Sequence, residues 1–462
     1  MRRWVAGHPL PDRAVVLAAT LLAVSVWRGP WWGLGVVAVA VVACRRPLVV
    51  GLCLLATAVG WWSGVRAWEQ AVPRHLGVYT GWAEIIGDPA PFGNGLRVTV
   101  EVQGERFDAW LYGANRRKLA DHQGGEYVWI DGRRVKSPAA SARRSLSRHV
   151  VGRFEVGVVG DVEVGTPMSL AANRVRTGLR SAAEATMNSD DAALFTGLVI
   201  GDDARQPPWL IDAFRTSGLS HLTAVSGQNV AFVLAAALPL LRRLRPRWRW
   251  AATVALVSWF MALTRFEPSV MRAGVMAVLA ATAYLRGQQV RPVRLLALAM
   301  IMLIVVDPLL VWSVGFWLSV GATAGVCVVG PWLLPRLPGP VWLRLPMAVT
   351  LGAQAGVALP SLLVFHRLAV VSLPANLAAV PVAGFVMLYG LPAGLSAAVL
   401  PPPLRTIVML PAEAGTHWVS TVAQVAAALE PSAGRSLACW LVGAALFACL
   451  GRRSRSERDV PI

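Results

Sequence analysis

Lysine is almost missing from this chain. Lys118 and Lys136 are the only two among its 44 basic residues. Charge as a whole is scarce: 15% of 462 residues, where a soluble globular protein carries about 25%. That shortage excludes an ordinary water-soluble domain architecture for most of the chain. Cysteine is scarce too. Cys44, Cys53, Cys327, Cys439 and Cys449 all lie in or beside apolar runs with no CxxC pair, which excludes a disulfide frame and reads as small buried hydrophobes. The histidines are scattered: the nearest two, His122 and His149, are 27 positions apart, and no HxH or HExxH occurs. A hydrolytic zinc centre therefore has no signal. No catalytic nucleophile constellation and no Walker loop is visible either. The expectation is a protein that is not an enzyme, needs no metal or cofactor, and does not supply its own motor.

What is abundant is apolar length. Hydrophobic residues make up 55% of the chain, and several runs reach the roughly 17–25 residues that cross a bilayer. Further spans follow the first, and no clear cleavage site appears, so the N-terminus is not a simple secretory signal. The net charge of +19 is nearly all arginine. It fits a polyanionic partner, because arginine pairs phosphate in a bidentate way. It also fits the excess of cations in cytoplasmic loops together with GC-rich codon usage, which composition alone favours.

The runs divide the chain. Residues 1–66 hold two or three transmembrane segments, at 11–27, 30–44 and 47–66, the first two short and separated by Arg28, Gly29 and Pro30. Residues 67–165 alternate apolar and polar side chains, as in "LRVTVEV" (96–102), "RFDAWLYG" (106–113) and "EYVWIDG" (126–132), with further strand-like stretches at 77–85 and 152–164. Five short strands with turn signals predict a small β-barrel or sandwich of OB type. Residues 166–218 are an amphipathic linker, with Arg174, Arg176 and Arg180 on its polar side, and a following element. Residues 219–451 return to apolar runs at 219–241, 250–264, 268–285, 292–306, 309–334, 345–365, 368–399 and 436–450, with a weaker stretch at 411–430. A basic tail, 452–462, closes the chain. The arginines at 2–3, 45–46, 242–249, 286–294 and 336–344 are expected in the cytoplasm, which sets the β-domain outside. The expected fold is thus a polytopic α-helical membrane protein of the cytoplasmic membrane, with a small all-β, OB-like extracytoplasmic domain inserted after the first spans.

One run opens on "HLTAVSGQNV" (221–230), an unusually polar start for a helix that meets lipid. The longer stretch "GLSHLTAVSGQNV" (218–230) resembles the signature of the ComEC-type competence family, the inner-membrane DNA-uptake channel of natural transformation, and matches each fixed position of its Gly-Leu-x-His-Leu-x-Ala-x-Ser-Gly-x-x-Val pattern. Four more segments resemble the family in order: "ALFTGLVIGDD" (193–203), "EPSVMRAGVM" (267–276), "DPLLVWSVGFWLSVGATAG" (307–325) and "LPANLAAVPV" (373–382). Trp317 stands where many relatives have Gln. The resemblance implies a channel that carries single-stranded DNA across the membrane, preceded by an OB-like domain. Many full-length relatives carry a metallo-β-lactamase-like nuclease domain after the channel; this sequence ends at Ile462 without a histidine cluster to build one. The implied partners are single-stranded DNA, membrane lipid, a separate nuclease, an outer DNA receptor, and a cytoplasmic motor or single-strand-binding protein. Self-association into a homo-oligomer is left open.

Phosphates crossing a bilayer need polar groups in place of water, because a charge at the midplane costs about 3 kcal/mol even on the lenient insertion scales. His221, Ser226, Gln228 and Asn229 are candidates to line such a path, with a helix break at Gly227; the competing reading makes Ser226 and Asn229 helix-packing glue. Arg272 lies one turn into a helix opened by Pro268 and Ser269, which makes an anion site there; the competing reading is snorkelling to headgroups. Asp307, before Pro308, reads as a cap or turn residue, or as a salt-bridge partner of Arg272. Asn376 and Pro381 lie in a run long enough for a re-entrant turn. Gly321 and Gly325 read as helix packing. In the β-domain, Arg116, Arg117 and Lys118 form a basic loop, and Trp82, Trp110, Tyr112 and Trp129 either stack on bases or fill the barrel. Two other functions fit the same residues: a transporter for a small anionic solute, which would need a closed pocket and no outer domain, and a truncated, non-transporting family remnant.

Overall fold

A computed structural model describes residues 10–29, 47–138, 145, 147–223, 227–365, 369–431 and 435–436. Ser226, the expected segment 30–44, the run 436–450 beyond its first residue and the basic tail lie outside them. The chain divides into two compact units, residues 1–174 with 237–316, and residues 175–236 with 317–462.

The first unit contains the β-domain. Its strands are β1 (Gly77–Phe92), β2 (Gly95–Val102), β3 (Glu105–Leu111), β4 (Tyr127–Lys136) and β5 (Val150–Glu163). They close into a barrel in the order β1-β2-β3-β5-β4. All pairings are antiparallel except β3 with β5, which run parallel. This is the small five-stranded barrel expected for 67–165. The period-2 alternation is the cause: Val98, Val100 and Val102 point inward while Arg97, Thr99 and Glu101 stay partly exposed. Phe107, Ile85, Ile130, Phe154 and Val159 complete a core in which each is at most 2% exposed, worth roughly 1.5–3 kcal/mol per large side chain. The expected basic loop is instead a short helix, α3 (Gly113–Leu119), which carries Arg116, Arg117 and Lys118 and tucks Leu119 into the core.

Glu84 on β1 faces Glu101 on β2. Burial holds its carboxyl above the ordinary carboxylate range; Glu101 adds to the rise and Arg106 opposes it. A group that binds its proton more tightly when folded favours the fold below its ordinary pKa and loses that contribution as pH climbs through the raised value. Glu84→Gln is therefore expected to steady the barrel at neutral pH and leave it unchanged in acid. Hydrogen exchange of the strand amides at the two pH values reads this directly.

The helices of the first unit are α1 (Asp12–Arg28), α2 (Pro47–Gln70), α9 (Pro246–Leu263), α10 (Pro268–Leu285) and α11 (Pro292–Val306). Arginine and a following proline open two of them, with Pro246 and Pro292 in the first turn where a missing N–H costs nothing. Arg294 at the start of α11 bonds Leu10 O and Asp12 at the start of α1. At the far end of α11, Trp312 packs edge-on against Trp27 and Trp68, at the far ends of α1 and α2. Two barrel contacts lie at this second end. His149 Nε2 is 3.0 Å from Asp307 Oδ2, and Arg265, in the turn between α9 and α10, reaches Asp88 on β1. Arg265 and Phe266 both take left-handed backbone, φ 57° and 55°, at a cost of about 1–2 kcal/mol each.

The second unit holds most of α4 (Pro167–Glu184), then α5 (Ser189–Ile200), α6 (Pro208–Thr216), the single turn α7 (Ser220–Thr223), the body of α8 (Gly227–Leu241), α12 (Val314–Leu333), α13 (Val341–Phe365), α14 (Ser372–Ala397) and α15 (Pro402–Leu429). Among the described residues, five helices are long and apolar enough to cross a membrane: Pro47–Gln70, Pro268–Leu285, Val314–Arg336, Val341–Val364 and Ser372–Ala397. The expected packing role of Gly321 and Gly325 is visible in α12 and α13. A Cβ at Gly356 would lie 1.9 Å from Gly321 O, and one at Gly325 2.0 Å from Gly352 O, so only glycine permits this backbone approach. The expected re-entrant turn at Asn376 and Pro381 is corrected: α14 is one continuous helix through both residues. A proline at an interior position removes one backbone bond, and neighbouring helices make that tolerable.

Candidate functional site

The polar motif 218–230 gathers its neighbours in the second unit. Gly218 has φ 76°, and a Cβ there would meet Ser372 Cβ at 2.7 Å and Ala369 Cβ at 3.2 Å. The motif thus begins pressed onto the start of α14, where any larger residue would be both strained and blocked. Leu219 and Leu222 are buried, while His221 and Gln228 are exposed. Helix is described over Ser220–Thr223 and again from Gly227; the expected interruption falls on residues 224–226, outside the described residues. Asn229 is 2% exposed, and its Nδ2 donates to Leu198 O at 3.0 Å. In this arrangement its contact joins α8 to the end of α5.

The end of α5 is held from a second direction. Arg176 donates to Ile200 O and lies 3.7 Å from Asp202, with both side chains 2% exposed. Arg180, one turn further along α4, donates to the same carboxylate. Gly201 closes α5 in the left-handed conformation, and Asp202 N bonds back to Thr196 O. The linker helix was expected to show Arg174, Arg176 and Arg180 on a polar face. Arg176 departs from that reading: it is turned inward, because an ion pair with Asp202 compensates its burial. Helical spacing separates it from Arg174, two residues away on the opposite face, and sets it on one face with Arg180, four residues on.

At the start of α14, Glu430 accepts from Val370 N and Val371 N at 3.1 Å each and from Ser436 Oγ at 2.7 Å. A carboxylate at a partly buried helix N-terminus stabilises it by about 1–2 kcal/mol. Ser372 Oγ accepts from Gln354 Nε2 on α13, and Asn376 Nδ2 donates to Ser372 O at 2.6 Å. Three of the sequence segments, 193–203, 218–230 and 373–382, therefore converge within this unit. The sequence reading missed Glu430, Gln354 and Asp202. The one available signal was a Glu directly before Pro431 at a helix end.

Arg272 belongs to the first unit. It is 6% exposed at the start of α10, and Nη1 lies 3.4 Å from Met276 Sδ. Pro268 occupies the first turn and Glu267 the cap position, without a side-chain cap bond. Asp307 takes the cap role: its Oδ1 accepts from Leu309 N at 3.0 Å, ahead of a turn of 3-10 helix opened by Pro308, and its other oxygen faces His149.

On the barrel, Arg116 Nη1 donates to Asn94 O and Lys118 Nζ to Val159 O, while Arg117 remains exposed. Trp82 is 41% exposed and pairs across the strands with Trp129, which packs over Gly160. Tyr112 is 59% exposed. Trp110 lies under the Arg153 guanidinium at 4.8 Å and opposite Arg97 in the ladder. Trp110 was among the expected aromatics, but its cationic neighbours Arg97 and Arg153 were not, since Arg153 reaches Trp110 only through the parallel β3–β5 pairing.

Residues 198–453 match the family described as "Competence: Competence protein". The competence protein ComA of Neisseria gonorrhoeae is 32% identical over 188 residues, 37% of this chain and 27% of that protein. ComE operon protein 3 of Bacillus subtilis is 28% identical over 209 residues, 45% of this chain and 26% of its own length. The uncharacterized protein YcaI of Escherichia coli is 27% identical over 211 residues, 42% of this chain and 28% of its own. The matched stretches thus span about a quarter of each of these relatives. No solved structure matches the chain.

Proposed function

Because the chain belongs to the competence protein family, we propose that it takes part in DNA uptake, as a multi-pass protein of the cytoplasmic membrane that conducts a single DNA strand inward. The observation that carries this reading is the family match itself, within which motif 218–230 seats on the start of α14 and, through Asn229, on the end of α5. Polar groups held in apolar helices are what a phosphate path requires. His221, Gln228, Ser226 and Asn376 serve it in this reading, and Arg272 meets phosphate at the start of α10. The barrel receives the strand outside, through Trp110, Trp129 and the cations near them, weakly and without strong sequence preference. In this reading the chain conducts the strand, while other proteins receive the DNA outside and pull it inward.

Two observations support the topology. The arginine clusters at 242–249 and 286–294 lie at the ends of α9, α10 and α11 away from the barrel contacts at Arg265 and Asp307. Cations gather on the cytoplasmic side, so the barrel belongs on the other. With the native cysteines replaced by alanine, Asn94→Cys in the exposed β1–β2 turn is expected to react with an impermeant thiol reagent in intact cells. Labelling only after lysis would reverse the orientation.

The function itself is tested in a strain deleted for this gene. Labelled DNA should become resistant to external nuclease only when the gene is restored. Equal protected label with and without it would refute the reading.

A further inference from the structure

We propose that Arg265 is a positioning residue: it pins the barrel to the turn before α10, so that a strand leaving the barrel is delivered to the start of that helix. The proposal rests on the DNA-uptake reading for what is delivered, and on the geometry of the first unit for how.

Arg265 is the centre of a node drawn from four separate stretches of chain. Its Nη2 donates to Asp88 Oδ1 at 2.8 Å and to Asn173 Oδ1 at 2.7 Å. Asp88 lies in the irregular part of β1, where register shifts between Ile86 and Ala90, and its Oδ1 also accepts from Gly124 N at 3.0 Å. Asn173 Nδ2 turns back to Gly124 O and to Glu126 Oε1. Barrel strand, barrel loop, linker helix and membrane-helix turn therefore share one network. The side chains of Arg265 and Asp88 are 17% and 11% exposed, and Asn173 is 7% exposed.

The turn is strained in a way this network explains. Arg265 and Phe266 are consecutive left-handed residues, a conformation that a bulky side chain keeps only when its surroundings impose it. Phe266 is 52% exposed, so burial of its ring does not hold the turn. The guanidinium does. Directly after it, Pro268 starts α10, and Arg272 is buried one turn in. The position of the turn fixes where that helix starts. His149 and Asp307 form a second tie, with His149 43% exposed; two ties fix an orientation where one would leave a swivel. Apolar contact would join a barrel to helices at less desolvation cost than a buried ion pair, whose return is defined geometry. The barrel has its own closed core, so loss of the node leaves it folded and able to meet DNA but poorly aimed.

The test uses the full chain in the deletion strain, with Arg265→Ala, Asp88→Ala, and the exchange of Asp88→Arg with Arg265→Asp. Uptake is measured against DNA concentration and normalised to membrane-inserted protein; hydrogen exchange follows the barrel core, the Gly124 region and the α9–α10 turn. Each single variant should lower maximal uptake about tenfold with half-saturating DNA unchanged, should expose the node and turn amides, and should leave the core amides protected. The exchange should recover much of both signals. Parental maximal uptake in the singles, or an exchange no better than either single, would overturn the proposal. So would a rise in half-saturating DNA at unchanged maximal rate, which would make Arg265 a DNA contact. If the parent itself takes up no more DNA than the deletion strain, the uptake reading falls and delivery falls with it, while unchanged turn amides in the singles would separately refute the pinning.

Discussion

Arg272→Leu is expected to abolish DNA uptake while the protein still reaches the membrane. Arg272 is 6% exposed near the start of α10, where the helix dipole and the guanidinium both favour an anion. Loss of the charge should ease insertion by about 3 kcal/mol on translocon scales, so missing protein is not the expected route to missing activity. Arg272→Lys should keep part of the activity, because the charge survives while the bidentate fork does not. An arginine that only reaches for headgroups would tolerate lysine fully and leucine nearly so. Transformation frequency per inserted molecule separates the two. A parental value for Arg272→Leu would remove the anion site from this account.

Asp202→Ala should be the most destabilising single change in the second unit. It leaves the Arg176 guanidinium, 2% exposed, without its carboxylate, and such a loss costs about 3–5 kcal/mol. The end of α5 should loosen, and with it the anchor of Asn229 on Leu198. The cost lies in the stranded charge more than in the lost pair. A triple variant, Arg176→Met with Arg180→Met and Asp202→Leu, should therefore be more stable than Asp202→Ala alone. Thermal unfolding in detergent reads the comparison. A triple variant less stable than the single would mean that the ion cluster stabilises the unit outright.

The fold was largely legible. Strict alternation in 96–102 and its neighbours dictated strands, and the barrel core follows from it. Apolar runs gave the long helices, and the glycine pair at 321 and 325 announced its close approach to α13. What stayed hidden depends on contacts between distant segments. Asp202 is one of two adjacent aspartates, and only the fold selects it to pair with Arg176 and Arg180. Arg265 looks like any loop arginine until Asp88, 177 positions away, arrives beside it. The re-entrant turn failed for the opposite reason: Pro381 announced a break that packing absorbs, as Gly384 against Phe232 illustrates.

The central claim is conduction of a single DNA strand, and a planar bilayer holding the purified chain tests it most directly. A single-stranded oligonucleotide is added to each side in turn, with the voltage set to drive anions across. The account predicts transient blockades of the ionic current and recovery of the oligonucleotide from the far chamber, with the duplex of the same sequence held back. An oligonucleotide that neither interrupts the current nor reaches the far chamber from either side would contradict it.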